Sequence, residues 1–141
     1  SRIKGIVMAE TSLDPIEAIM KLRKHMESDV GRYDKLFRVF PVIAKVPSDV
    51  ETIVEEVKKQ AGVIEEGQKF RITLEKRETE FRSLEIIEPV AAVIDREVDL
   101  TSPDWVVLIE MMGKITGVTV MPPEGMLNVQ KETYALTSKA D

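Results

Sequence analysis

Trp105-Val106-Val107-Leu108-Ile109-Glu110-Met111-Met112-Gly113-Lys114-Ile115-Thr116-Gly117-Val118-Thr119-Val120-Met121 is the stretch whose reading decides the fold. Two apolar runs flank Gly113-Lys114, and glycine supplies the backbone freedom that a two-residue hairpin turn requires. Both runs are apolar enough to sit at the centre of a sheet, because an edge or one-sided strand would alternate with polar residues. Gly117 has no following helix to cradle a phosphate, so it is read as a bulge or a close approach of backbone.

Working back from the hairpin, Val98 to Pro103 is a connector. Pro103 fixes the approach to the hairpin, and Asp99 is placed to accept amides of the following turn. Residues 69–77 form a strand with a two-residue alternation. Phe70, Ile72 and Leu74 point one way, and Lys69, Arg71 and Arg77 share the other, solvated face. Phe81 and Arg82 lead into a helix from Ser83, with Ile87, Val90, Ala91 and Ile94 as its buried stripe and Pro89 as a source of kinking. Ser48-Asp49-Val50-Glu51 has capping-box spacing for a second helix. In that helix Val50, Ile53, Val54, Val57 and Ala61 recur at helical spacing, and Gly62 sits at the end.

Toward the N-terminus, Ile3 to Ala9 reads as a strand. Asp14-Pro15 opens a helix that buries Ile16, Ile19, Met20, Leu22 and Met26. Gly31 marks a turn, and Leu36 to Val46 reads as a strand interrupted by Pro41. Met126 to Glu132 adds a short strand. The order β-α-β-α-β-α-β-β predicts a two-layer α/β sandwich, an α+β arrangement of a mixed sheet with helices on one face.

Composition excludes several function classes. The 141 residues include no cysteine and a single histidine, His25, which lies off the apolar arc of its helix. Thiolate chemistry, disulfides and zinc sites are therefore not expected. The carboxylates fall on helix faces and turns, and no nucleophile elbow or phosphate loop is present. No enzyme, cofactor or metal site is expected, and a small enzyme using an oxygen-bound metal such as Mg²⁺ stands as a third reading. Without a signal peptide or long apolar run, a soluble cytoplasmic protein is expected.

The net charge is −5, but it is unevenly spread. Residues 31–46 carry +3 and residues 68–77 another +3, which leaves −11 on the remainder. Basic islands on an acidic body focus a polyanion onto one face. Arg38, Lys45, Lys69, Arg71, Lys76, Arg77 and Arg82 are the candidate phosphate contacts, with Tyr33, Phe37 and Phe81 as candidate stacking groups. A protein-interaction scaffold that works through the acidic remainder is the rival reading.

The hairpin and its approach carry a family resemblance. Asp99-Leu100-x-x-Pro103-Asp104, then Val107-x-Ile109-Glu110, then Gly117-Val118-x-Val120, resembles the end of the THUMP domain of tRNA-modifying enzymes. Arg38-Val39-Phe40-Pro41-Val42 is similar to that domain's Arg-x-x-Pro-Val strand, and the likeness spans roughly residues 36 to 125. Among THUMP proteins the chain is most similar to the stand-alone archaeal and eukaryotic group that assists tRNA cytidine acetylation. The resemblance implies a ferredoxin-like part over 1–47, an RNA-binding domain over 48–125 and an extension over 126–141. It also implies tRNA as ligand and a separate RNA acetyltransferase or other tRNA-modifying enzyme as partner, so that the chain itself serves as an adaptor. Motif positions such as Asp99, Pro103 and Glu110 then look structural, and the cations around them look like the contact surface.

Overall fold

The structure, a computed structural model, describes residues 10–28 and 38–128. The strand expected at 3–9, the turn at Gly31, Tyr33, Phe37 and the tail from 129 lie outside the described residues. The elements are α1 (Pro15–Ser28), β1 (Arg38–Val39), β2 (Ala44–Pro47), α2 (Val50–Gln60), β3 (Lys69–Arg77), α3 (Ser83–Ala92), β4 (Glu97–Val98), β5 (Trp105–Met112), β6 (Ile115–Met121) and β7 (Leu127–Asn128). The chain divides into two compact units, residues 1–10 with 42–123 and residues 11–41 with 124–141.

The larger unit is a mixed five-stranded sheet in the order β2-β6-β5-β3-β4. Its centre is the hairpin, paired antiparallel from Val106 opposite Met121 to Met112 opposite Ile115. Gly113 turns it with φ +66. That single positive φ at the first turn position is the pattern of a II′ hairpin. β3 runs parallel to β5 over its full length, as a strand–helix–strand crossover through α3 demands.

Helices α2 and α3 share one face of this sheet. Ile53 and Val57 from α2 and Ile86 and Val90 from α3 pack with Phe70, Val107, Ile109, Met111, Val118 and Val120 in one buried cluster. Val90 and Ile94 are buried as expected, but the buried isoleucine of α3 is Ile86, with Ile87 only half-buried. Capping also differs from the expectation. Asp49, one residue past Ser48, caps α2 by accepting the Thr52 N–H at 2.8 Å. The Ser48 hydroxyl is instead hydrogen-bonded to Thr116 at 2.8 Å, which ties the end of β2 to β6.

On the other face Val106, Leu108, Thr119 and Met121 are buried as well. This face is therefore wet along its margins, at Arg71 and Arg77 of β3 and at Lys45 of β2, and dry across the central hairpin strands. The strand expected over 36–46 is two strands. Pro41, with no N–H to offer a ladder, lies between them, and β1 pairs with β7 in the smaller unit while β2 joins the main sheet. That smaller unit also buries Ile19 and Met26 of α1, and its Arg23 guanidinium donates to the Met126 carbonyl at 2.9 Å.

Gly117 is a close-approach glycine. A Cβ built there would stand 3.1 Å from Val42 Cγ1 and 3.3 Å from Cγ2. Gly117→Val is therefore expected to destabilise the protein by about 1–3 kcal/mol through overpacking, despite valine's preference for strands. Urea denaturation should show the loss, and Val42→Ala in the same chain should recover part of it.

Candidate nucleic-acid interface

The structure sorts the seven cations into four places. Lys69 and Arg71 lie at the N-terminal end of β3 and are used as braces. Lys69 Nζ stands 3.8 Å from the Glu97 carboxylate, and Arg71 Nη1 donates to the Leu100 carbonyl at 2.8 Å. Lys45 is exposed on β2 at the opposite margin, across from Gly117. Arg38 is in β1 of the smaller unit.

Lys76, Arg77 and Arg82 gather at the C-terminal end of β3, and all three are exposed. Alternation puts Arg77 on the face away from the helices and Lys76 on the helix side, where its Nζ donates to the Phe81 carbonyl at 3.2 Å. That bond pins the loop that carries Arg82 to the N-terminus of α3. There the Arg82 N–H donates to the Glu85 carboxylate at 3.2 Å. The Phe81 ring packs against the core, so it is not available for stacking on a base.

The sequence reading missed a fourth cation. The Gly113 N–H donates to the Arg77 carbonyl at 2.9 Å, which sets the hairpin turn directly beside the end of β3. Lys114 in that turn is exposed, and its carbonyl accepts the Ser48 N–H at 3.0 Å. Lys76, Arg77, Arg82 and Lys114 thus share one end of the sheet, interrupted by Glu78 and Glu80. Glu78 holds a left-handed φ of 53, the one non-glycine positive φ among the described residues. The signal that leads to Lys114 is topological: a crossover helix makes β3 and β5 parallel, so they end on the same side.

Asp99 closes the opposite end. Its carboxylate accepts the Thr101 and Ser102 N–H groups, each at 2.9 Å, and the Ser102 bond, then the Thr101 bond, hold it below the usual carboxylate range. Asp49 is lowered in the same way, by the backbone and then the side-chain bonds of Thr52. A depressed native pKa means that stability is present in full above the ordinary carboxylate value and is lost as pH falls through the native one. The urea midpoint should therefore fall as pH drops below about 4, the ordinary carboxylate value. It should fall less in an Asp49→Asn/Asp99→Asn variant, whose amides keep the caps without the titrating charge.

Among the described residues no group of three or more His, Asp or Glu could hold a metal ion, and no helix is long and apolar enough to cross a membrane. The fold is an α+β module with four exposed cations, Lys76, Arg77, Arg82 and Lys114, at one end of its five-stranded sheet. The chain belongs to the THUMP domain family, whose sequence profile matches residues 47–121. A THUMP domain is an RNA-binding module, associated with tRNA modification enzymes, and is not itself a catalytic domain.

Three solved structures are similar to parts of the chain. PH1313 from Pyrococcus horikoshii Ot3 is 26% identical over 61% of this chain and 33% of its own, with a TM-score of 0.47. TrmN from Thermus thermophilus is 20% identical over 62% and 30%, with a TM-score of 0.45. The THUMP domain of THUMP domain-containing protein 1 is 23% identical over 50% and 85%, with a TM-score of 0.40. The chain thus spans about a third of the length of the first two. No curated protein matches it.

Proposed function

We infer that this chain binds tRNA and presents it to a separate catalytic protein that modifies a base, with cytidine N-acetylation as the reaction served. The observation that carries the reading is the exposed group Lys76, Arg77, Arg82 and Lys114 at one end of a THUMP-family sheet. Cations held by strand ends, a helix start and a tight turn keep their spacing, which suits the repeating phosphates of an RNA backbone. In this reading residues 1–47 supply a ferredoxin-like part, residues 48–125 hold the RNA, and residues 126–141 extend the domain. The acidic remainder fits an adaptor that takes further positive surface from its enzyme partner.

The test is titration of the full chain with tRNA at about 50 and 200 mM salt, the range over which phosphate contacts are expressed. Salt-sensitive binding is expected, whereas a pure protein scaffold gives none. The acetylation step is tested separately, by measuring acetylcytidine in tRNA treated with a candidate acetyltransferase with and without this chain. Equal yields would remove the adaptor role and leave RNA binding standing.

A further inference from the structure

The chain leaves β3 through a residue in an uncommon conformation. Glu78 takes a left-handed φ of 53, which glycine adopts freely and other residues enter only at a cost. Bonds on both sides of it hold the backbone there. Before it, the Arg77 carbonyl accepts the Gly113 N–H at 2.9 Å. After it, the Thr79 hydroxyl accepts the Phe81 N–H at 3.3 Å, and Lys76 Nζ donates to the Phe81 carbonyl at 3.2 Å. Strain over-determined by its surroundings in this way clusters where proteins clamp ligands.

The side chain is set against its neighbours. Glu78 follows Arg77 and, through the Arg77–Gly113 bond, lies beside the turn that carries Lys114. It is exposed, as Arg77, Arg82 and Lys114 are. Among the described residues its carboxylate joins no ion pair or hydrogen bond, so these cations do not occupy it. A carboxylate accepts hydrogen bonds, and it repels phosphate. On a surface whose cations meet an RNA backbone, its partner is therefore a donor. The donors of RNA are the N–H groups of its bases and its ribose hydroxyls.

The bases differ in what they offer. Two adjacent N–H donors suit a carboxylate, as in its bidentate pairs with arginine. On the Watson–Crick edge only guanine presents two, N1–H and the N2 amino group. Cytosine and adenine set an acceptor nitrogen beside their amino groups, and uracil flanks its one N–H with carbonyls. That edge is open only in an unpaired nucleotide.

We propose that Glu78 is a specificity-determining residue, whose carboxylate accepts the N1–H and N2–H of an unpaired guanine while Arg77 and Lys114 hold the flanking phosphates. The proposal rests on RNA binding by the cations at this end of the sheet and adds a base to it. Glu80 supplies an internal control. It is exposed in the same loop and carries the same charge, without the left-handed backbone that fixes Glu78.

The probes are a labelled oligouridine, the same strand with one central guanosine, and that strand with inosine or 2′-deoxyguanosine in its place. Each is titrated into the full chain by fluorescence anisotropy, beside tRNA at low and high salt. The guanosine strand should bind at least about fivefold more tightly than oligouridine, the lower end for a bidentate base contact. Inosine, which lacks the N2 amino group, should lose most of that gain, and 2′-deoxyguanosine should keep it. Glu78→Gln, whose amide has a single acceptor oxygen, should abolish the preference and keep the salt slope. Glu78→Gly should abolish it too, with a urea midpoint that shows the fold intact. Glu80→Gln should keep it.

Tighter binding of every strand alike by Glu78→Gln would overturn the proposal, because it reports only relief of repulsion. So would a preference that follows the ribose, lost with 2′-deoxyguanosine and kept with inosine, or one lost equally in Glu80→Gln. Salt-sensitive tRNA binding without a guanine preference overturns this assignment alone. Absence of RNA binding at either salt overturns the RNA reading with it.

Discussion

Phe70→Ala is expected to lower the stability of the protein by about 3–5 kcal/mol, the range for emptying a buried aromatic site. Phe70 is 1% exposed and heads the largest fully buried side chains. It lies opposite Trp105 in β5 and Val98 in β4, on the face covered by α2 and α3. The site collapses poorly, because its walls are strands held by ladders on both sides of β3. A loss of that size is a large fraction of the roughly 5–15 kcal/mol that stabilises a domain. Urea denaturation followed by the fluorescence of Trp105, the chain's one tryptophan, measures it. Phe70→Leu, which keeps most of the volume, should cost less, and a loss under about 1 kcal/mol for alanine would remove Phe70 from the centre of the core.

Phe70 was legible because β3 alternates without interruption, and alternation names the buried face whatever packs on it. The hairpin was legible for a similar local reason, since Gly113 sits between two apolar runs and few folds accept that pattern elsewhere. Readings failed where neighbouring residues offered equivalent chemistry. Ser48 and Asp49 are both good caps, and the choice was made by Thr116, 67 residues past Asp49, which engages the Ser48 hydroxyl. Ile86 and Ile87 are chemically identical, and the packing of α3 against α2 and the sheet buries Ile86.

The candidate interface divided along the same line. Lys76 and Arg77 could be read from a basic strand end, whereas Lys114 joins them only through the parallel register of β3 with β5. Spacing could not tell Arg71 from Arg77 either. Both are exposed on one face of β3, but a carbonyl 29 residues further along the chain, at Leu100, engages the first.

That difference decides the largest functional effect. Changing Lys76, Arg77, Arg82 and Lys114 together to alanine is expected to remove most of the salt dependence of tRNA binding. With one phosphate each, four such contacts contribute roughly 3 to 4 units to the log–log salt slope. For the unaltered chain a rise from about 50 to 200 mM salt should then weaken binding on the order of 100-fold, and the quadruple variant should barely respond. Lys69→Ala/Arg71→Ala is the informative comparison. Lys69 faces Glu97, and Arg71 spends a donor on the Leu100 carbonyl, so removing them loosens the Asp99 turn more than it removes phosphate contacts. The double variant should lose stability in urea while keeping most of the slope. All four residues of the main variant lie on exposed ends and turns, so its urea midpoint should change little beyond the loss of the Lys76–Phe81 bond. If instead the slope survives the quadruple change and collapses with Lys69 and Arg71, RNA follows the other end of β3, and the assignment of the four cations is wrong.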